Sequence, residues 1–255
     1  MKRIWFTLLF MCLVFASAVW AEGGRNMTYQ WEVEAPAGSE MDLKEDKLVY
    51  FGTETSPVVL TSSANSFKLT AQRVEYFKGR EVFFAQGQVV IEGEDLGLPL
   101  QRFFAAGEEV VYTVNQGELE FPHGGTVRNQ EGDTLRGERI LIFLDKDEST
   151  QKVKSFEASG GFELLASEGR ITGDMLKGEA QQGLMEATGN IDFQYNETSG
   201  TAEKAIYSDR SREAHLLGNP VIYQGDDHIT GEKIIYYLDT EQIKVIGPAR
   251  ARLYR

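Results

Sequence analysis

The residues best suited to chemistry are three histidines and a large number of carboxylates. His123, His215 and His228 have no spacing that resembles a zinc site, and Asp226-Asp227-His228 is better interpreted as a solvated turn than as a cation site. Carboxylate pairs occur by chance among 39 acidic residues. The sequence has no Gly-x-Ser-x-Gly motif, and no glycine-rich phosphate loop precedes a helix. We therefore predict no catalytic residue, no metal site and no cofactor, and expect that the protein is not an enzyme.

The first 21 residues have the pattern of a secretory signal peptide. Lys2 and Arg3 precede an apolar run of about 16 residues, which is short for a membrane span. Val19 and Ala21 form a small-x-small cleavage site, so we predict cleavage after Ala21 and a periplasmic location. The alternative is an uncleaved membrane anchor, which Trp20 would suit.

The net charge excludes some partners. Removal of Lys2 and Arg3 leaves 24 of the 26 basic residues against 39 acidic ones, a net charge of about −15. Such a charge repels nucleic acid and anionic membrane surfaces, so no nucleic-acid partner is expected. Cleavage also removes Cys12, the single cysteine, so core burial and backbone pairing must stabilise the fold.

An internal repeat runs through most of the chain. The first landmark of each copy is a six-residue motif. A small residue comes first and an acidic residue second; an apolar residue stands at the fourth position and an aromatic or apolar residue at the sixth. The six copies begin at Ala71, Gly107, Gly137, Gly173, Ala202 and Gly231.

A glycine follows each copy as a second landmark. The six are Gly87, Gly124, Gly160, Gly189, Gly218 and Gly247; the last four are each 29 residues apart, and the earlier spacings of 37 and 36 indicate loop insertions. Gly178 interrupts the aromatic position of the fourth copy.

Apolar and polar residues alternate within each copy, as in Ile191, Phe193 and Tyr195. Alternation predicts half-buried strands, and the Gly, Asn and Asp clusters between them predict antiparallel turns. We predict an all-β, elongated stack of strands over residues 46–255, after an irregular lead-in over residues 22–45. Residues 47–51 and 58–60 are possible strands. Residues 249–255 predict an exposed terminal strand, which is either a docking edge or an ordinary charged edge.

The units from Ala202 to Tyr207 and from Gly231 to Tyr236, each followed by a glycine-led strand, resemble the LptA/OstA family of periplasmic lipopolysaccharide-transport proteins. The resemblance covers roughly residues 45–255. It implies a V-shaped antiparallel β-jellyroll of about six OstA-like repeats, with an apolar groove for the acyl chains of lipopolysaccharide or lipid A. It also implies partners: other β-jellyroll subunits toward the inner-membrane transporter and the outer-membrane translocon, and a head-to-tail homo-oligomer. The chain is longer than typical bridging members, and an uncleaved N-terminus would make it resemble the membrane-anchored subunit instead.

The repeat predicts which side chains line the groove, although core packing explains the same periodicity. The predicted lipid-binding residues are Val74, Tyr76, Val89, Ile91, Val110, Tyr112, Ile140, Ile142, Phe162, Leu164, Leu176, Ile191, Phe193, Tyr207, Val221, Tyr223, Ile234 and Tyr236.

Cations at the third motif position are predicted to form cross-strand ion pairs rather than to meet lipid phosphates. They are Arg73, Arg139, Lys204 and Lys233.

The sequence is compatible with three functions. A subunit that carries lipid is favoured over a structural or adhesive β-repeat protein without lipid, and over a carbohydrate-active β-solenoid enzyme, which would need a polar cleft with converging carboxylates.

Overall fold

The computed structural model describes residues 31–62, 67–94, 102–144, 153–167 and 169–254. The predicted signal peptide and residues 22–30 of the lead-in lie outside these ranges. All the regular secondary structure in these described ranges is β-strand. Correspondingly, the described ranges contain no helix with the length and apolar character to cross a membrane.

The strands follow from the alternation of apolar and polar residues, with turns at the Gly, Asn and Asp clusters. In the first half of the chain they are β1 (Trp31–Glu34), β2 (Ser39–Asp42), β3 (Lys47–Phe51), β4 (Val58–Ser62), β5 (Phe67–Ala71), β6 (Arg73–Phe77), β7 (Val82–Glu94), β8 (Arg102–Thr113), β9 (Glu118–Phe121) and β10 (Gly125–Asn129).

In the second half the first five strands are long and the remainder are short. They are β11 (Thr134–Leu144), β12 (Val153–Ala166), β13 (Gly169–Glu179), β14 (Leu184–Tyr195), β15 (Thr198–Ser208), β16 (Glu213–Leu217), β17 (Val221–Gln224), β18 (Asp227–Thr230), β19 (Lys233–Tyr237), β20 (Gln242–Ile246) and β21 (Arg250–Arg252).

All described pairings are antiparallel and join the strands into one sheet that folds over into two leaves. Leaf A has the order β2-β3-β6-β7-β8-β9-β11-β12-β13-β14-β15-β16-β19-β20. Leaf B has the order β1-β4-β5-β7-β8-β10-β11-β12-β13-β14-β15-β17-β18-β21. The long strands β7, β8 and β11 to β15 contribute one half to each leaf. The architecture is therefore the folded-over antiparallel β-jellyroll that the sequence predicts.

The line where the long strands pass from one leaf to the other, here called the crease, coincides with the repeat's glycines. The pairing register shifts between Thr188 and Ile191 in β14, and Gly189 lies in that interval with a φ of 76°. The acidic residue of the preceding motif, Asp174, packs directly against this glycine. A bulge bends a strand, so the two landmarks of the repeat meet at the crease and turn the sheet there.

The lead-in is more regular than expected. The prediction of an irregular segment is wrong for residues 31–34 and 39–42, which form β1 and β2 and pair with β4 and β3. These segments are short, but Trp31 and Val33 alternate with Glu32 and Glu34, and pairing with a neighbouring strand satisfies their backbone groups. The strands suggested near residues 47–51 and 58–60 are confirmed as β3 and β4.

Each leaf ends in an edge strand that has a single partner among the described strands. β2 and β1 are the edges at the N-terminal end, and β20 and β21 those at the C-terminal end. The expected exposed terminal strand is confirmed, because all three residues of β21 are exposed.

Candidate functional site

The interior between the leaves is lined by rows of apolar residues that run across the strands. In leaf B, Leu164 pairs with Ile171, Ile171 with Phe193, Phe193 with Gly200 and Gly200 with Ile222. Because antiparallel neighbours stand about 4.8 Å apart, such a row gives a continuous apolar surface along the long axis of the molecule.

Leaf A contributes a matching row from the aromatic position of the repeat. Phe156 pairs with Gly178, Gly178 with Met185, and Met185 with Tyr207. The row continues through Ala214 to Tyr236. The two rows face the same interior, because their apolar side chains, Tyr207 excepted, belong to one continuous cluster.

Most of the predicted groove residues point into this interior. Twelve of the eighteen are buried: Val74, Val89, Ile91, Val110, Tyr112, Ile140, Ile142, Phe162, Leu176, Ile191, Ile234 and Tyr236.

Tyr76, Leu164 and Phe193 are half-buried and pack against the same cluster. Tyr207 is also half-buried; its hydroxyl lies 2.8 Å from the Arg212 Nη1 that donates to it. Burial raises the pKa of Tyr76 and of Tyr207 above the ordinary tyrosine value, so both phenols are neutral at physiological pH.

The interior assignment is wrong for Val221 and Tyr223. Tyr223 is 40% exposed on the outer face of leaf B beside His228, and the buried residue of this strand is Ile222, at 1%. After the landmark glycines Gly87, Gly160 and Gly189, the interior residues stand two and four positions further along the chain. Pro220 and Ile222 hold those positions in this copy, so the prediction was out of phase by one residue, which inverts the two faces of a strand.

Phe156 is an interior residue that the repeat alone did not reveal. Its ring lies over Gly178, at the place where a side chain of residue 178 would point. The gap that Gly178 leaves in the aromatic column is thus filled from the neighbouring strand. The signal for Phe156 was the alternation of Phe156 and Ala158 with Ser155 and Glu157.

The N-terminal part of the interior is filled by aromatic side chains. Trp31 of leaf B contacts Phe83 and Tyr112 of leaf A, with ring centroids 5.2 and 5.8 Å apart. Phe67 stacks on Tyr112 at 5.6 Å. Phe67, Phe83 and Tyr112 are each at most 3% exposed, so this aromatic cluster is a closed core that joins the leaves.

The interior is less tightly closed from β12 to β14. At the same position of the repeat, Ile91 is fully buried, whereas Leu164 and Phe193 remain half-buried. Ile171, Phe156 and Met185 are also half-buried, although all of them pack against the core cluster. This stretch of the interior therefore offers apolar surface that the protein itself leaves partly uncovered.

The outer face carries the charge. Arg139 donates to Glu120 at 2.7 Å, and Lys204 lies 2.8 Å from Glu186, each on an adjacent strand, which confirms the expected cross-strand pairs at these two positions. Arg73 pairs instead with Glu75 on its own strand. The sheet thus keeps its ionic contacts on the side that faces solvent, where each contributes little to stability.

The histidines do not form a common site. His215 lies 3.1 Å from Glu213, and His123 is 3.9 Å from Glu109. Asp227 accepts a hydrogen bond from the backbone N–H of Tyr254 at 2.7 Å. No group of three or more His, Cys, Asp or Glu side chains with metal-binding geometry occurs in the described part of the chain.

These features define a class: an elongated, folded-over β-jellyroll with an apolar interior and a charged exterior. Residues 123–242 match the family described as "LptA/(LptD N-terminal domain) LPS transport protein", which confirms the resemblance to the LptA/OstA family predicted from the repeat.

One solved structure with sequence similarity is the crystal structure of LptH from Pseudomonas aeruginosa, described as the LptA homologous periplasmic component of the conserved lipopolysaccharide transport device. The identity is 28%, the match covers 44% of this chain and 74% of that one, and the TM-score is 0.37. No curated protein matches the chain.

Proposed function

We propose that this protein is a periplasmic, non-enzymatic subunit of lipopolysaccharide transport that holds acyl chains between its two leaves. The observation that carries the proposal is the row Leu164–Ile171–Phe193, whose members pair across adjacent strands, face the interior and remain half-buried. The family match over residues 123–242 spans the same strands.

Burial of apolar surface would supply the affinity. Each methylene withdrawn from water contributes about 0.8 kcal/mol, so a chain of a dozen methylenes has a driving force of about 10 kcal/mol before the entropy of ordering is subtracted. After removal of Lys2 and Arg3 the protein has a net charge of about −15 and cannot attract an anionic lipid at long range, which makes the interior the favoured place of contact.

The proposed role includes a bridge between membranes, because both ends of the folded-over sheet present edge strands. Met41 and Leu43, near the N-terminal edge, are 55% and 81% exposed, and Leu253 and Tyr254, near the C-terminal edge, are 73% and 56% exposed. Unpaired strand edges with exposed apolar side chains suit pairing with another β-jellyroll. We therefore propose as partners lipopolysaccharide or lipid A, other jellyroll subunits of the export machinery, and a second copy of this chain.

The decisive experiment is native mass spectrometry of the protein purified from the periplasm, together with lipid extraction from the same sample. The wild type should carry lipopolysaccharide or lipid A. Phe193→Asp, which places a carboxylate in the half-buried row, should lose it while remaining folded by circular dichroism. Tyr223→Asp, on the outer face, is the matched control and should keep its lipid.

A lipid-free wild type that also fails to bind added lipopolysaccharide would contradict the proposal. The closed aromatic core around Trp31 would then favour the second candidate, a structural β-repeat protein without cargo.

A further inference from the structure

Tyr236 makes a contact that spans the interior toward the C-terminal end. It lies on β19 in leaf A, and its ring meets that of Tyr195, on β14 in leaf B, edge to face with centroids 5.9 Å apart. Tyr195 is the last residue of the strand that carries Phe193, and its side chain is half-buried. The tyrosine pair therefore lies close to the half-buried row of leaf B.

The hydroxyl of Tyr236 is buried and has no hydrogen-bond partner in the described structure. The residue is 2% exposed and belongs to the apolar core cluster. Its register partners on the adjacent strands, Ala214 and Ile243, have no side-chain group that could donate or accept. Buried hydroxyls are nearly always paired, so an orphan inside an apolar interior requires a partner that comes from elsewhere.

We infer that the Tyr236 hydroxyl is a binding group for an oxygen carried on the acyl chain of the lipid, a hydroxyl or an acyloxy group. A head group that stays in solvent does not reach a side chain buried to this degree, whereas an oxygen substituent on the chain enters the interior with it. The inference rests on the proposed function and deepens it, because it makes Tyr236 a residue that selects oxygen-substituted chains over plain ones.

The test compares two probes, 3-hydroxytetradecanoic acid and tetradecanoic acid, by isothermal titration calorimetry with delipidated full-length mature protein. A neutral hydrogen bond that satisfies a buried group corresponds to about fivefold in affinity. The wild type should prefer the hydroxylated acid by about that factor. Tyr236→Phe, which removes the oxygen and keeps the ring, should bind both acids equally and should bind tetradecanoic acid as well as the wild type does.

Tyr223→Phe removes a hydroxyl from the outer face and should retain the preference. A wild type that binds both acids with equal affinity, or a Tyr236→Phe variant that keeps the preference, would overturn the inference and leave the lipid-binding function standing. Failure of the wild type to bind either acid would overturn both.

The melting temperature of the delipidated variant gives a second measurement. If the hydroxyl has no partner in the lipid-free protein, Tyr236→Phe should melt at the same temperature or higher. A clearly lower melting temperature would show that the hydroxyl already has a structural partner, which would also overturn the inference.

Discussion

The ring of Phe156 lies over Gly178 on the adjacent strand and occupies the space into which a side chain at position 178 would project. The two residues are direct register partners in leaf A. The fourth repeat thus has a glycine at its aromatic position because the Phe156 ring, from the neighbouring strand, already fills that space. The core has room for one large side chain at this pair of positions.

Gly178→Ala should therefore lower the free energy of unfolding by about 1–3 kcal/mol, because the added methyl group overlaps the Phe156 ring. Urea denaturation would measure the change. In the Phe156→Leu background the same substitution should cost less, and a double-mutant cycle would give the coupling. Gly79→Ala, where an added Cβ meets nothing within 4 Å, is the control and should change stability little. Equal effects at positions 178 and 79 would contradict the packing argument.

The crease gives a second prediction, at Gly189. Its φ of 76° is unfavourable for an L-residue, and an added Cβ would also overlap the Asp174 side chain. Gly225 has a φ of 61° but has nothing within 4 Å of an added Cβ. Gly225→Ala should cost about 1 kcal/mol from the backbone alone. Gly189→Ala should lower the free energy of unfolding more than Gly225→Ala does, with a correspondingly lower urea midpoint. Equal losses of stability would show that the Asp174 side chain can move away from the added methyl group at no energetic cost.

The sequence predicted the strands and most interior residues because alternation is a local signal. Ile191 and Phe193 were identified as interior residues from spacing alone, and the structure places both facing the core. The crease was not predicted, because Asp174 and Gly189 come from neighbouring strands and their contact depends on the pairing register. The phase error at Tyr223 had a local cause: Pro220, which is not an obvious core residue, holds the first interior position.

The alternation of apolar and polar residues does not predict whether the interior is filled by side chains or partly open. The closed N-terminal part depends on Trp31, Phe67, Phe83 and Tyr112, which come from four different strands. The spacing of residues within one segment does not show how side chains from four strands fill a common space. Periodicity therefore assigns Ile91 and Leu164 to the interior alike, although Ile91 is fully buried and Leu164 is only half-buried.

The aromatic cluster around Trp31 provides a third prediction. Trp31→Ala removes the ring that joins β1 to Phe83 and Tyr112, and should lower the free energy of unfolding by about 3 kcal/mol in urea denaturation. Lipid content after purification should be unchanged, because the half-buried row lies elsewhere in the interior. Phe104→Ala, at a residue that is 44% exposed, is the control and should have a small effect on stability. A folded Trp31→Ala protein without lipid would place the binding region in the N-terminal part.

The last prediction concerns acid stability and the outer face of leaf B. Hydrogen bonds from Arg170 and Arg136, at 2.7 and 2.9 Å, hold the pKa of Glu163 below its ordinary value. A lowered pKa in the folded state means that the unfolded chain binds more protons, so this contribution is present above the ordinary glutamate pKa and is lost as the pH falls through the lowered one.

Glu163→Gln should therefore have a lower urea midpoint than the wild type at pH 7, and the two midpoints should converge as the pH falls below the ordinary glutamate range. The difference should be small, since Glu163 is on the surface and solvent screens its ion pairs. The hydrogen bond from Arg170 lowers the pKa of Glu163 more than that from Arg136 does. Arg170→Gln should therefore also lower the urea midpoint at pH 7, with a difference from wild type that shrinks as the pH falls. Arg136→Gln should show the same behaviour with a smaller difference. A constant difference between Glu163→Gln and wild type from pH 7 to pH 3 would show that the substitution acts through packing rather than through charge.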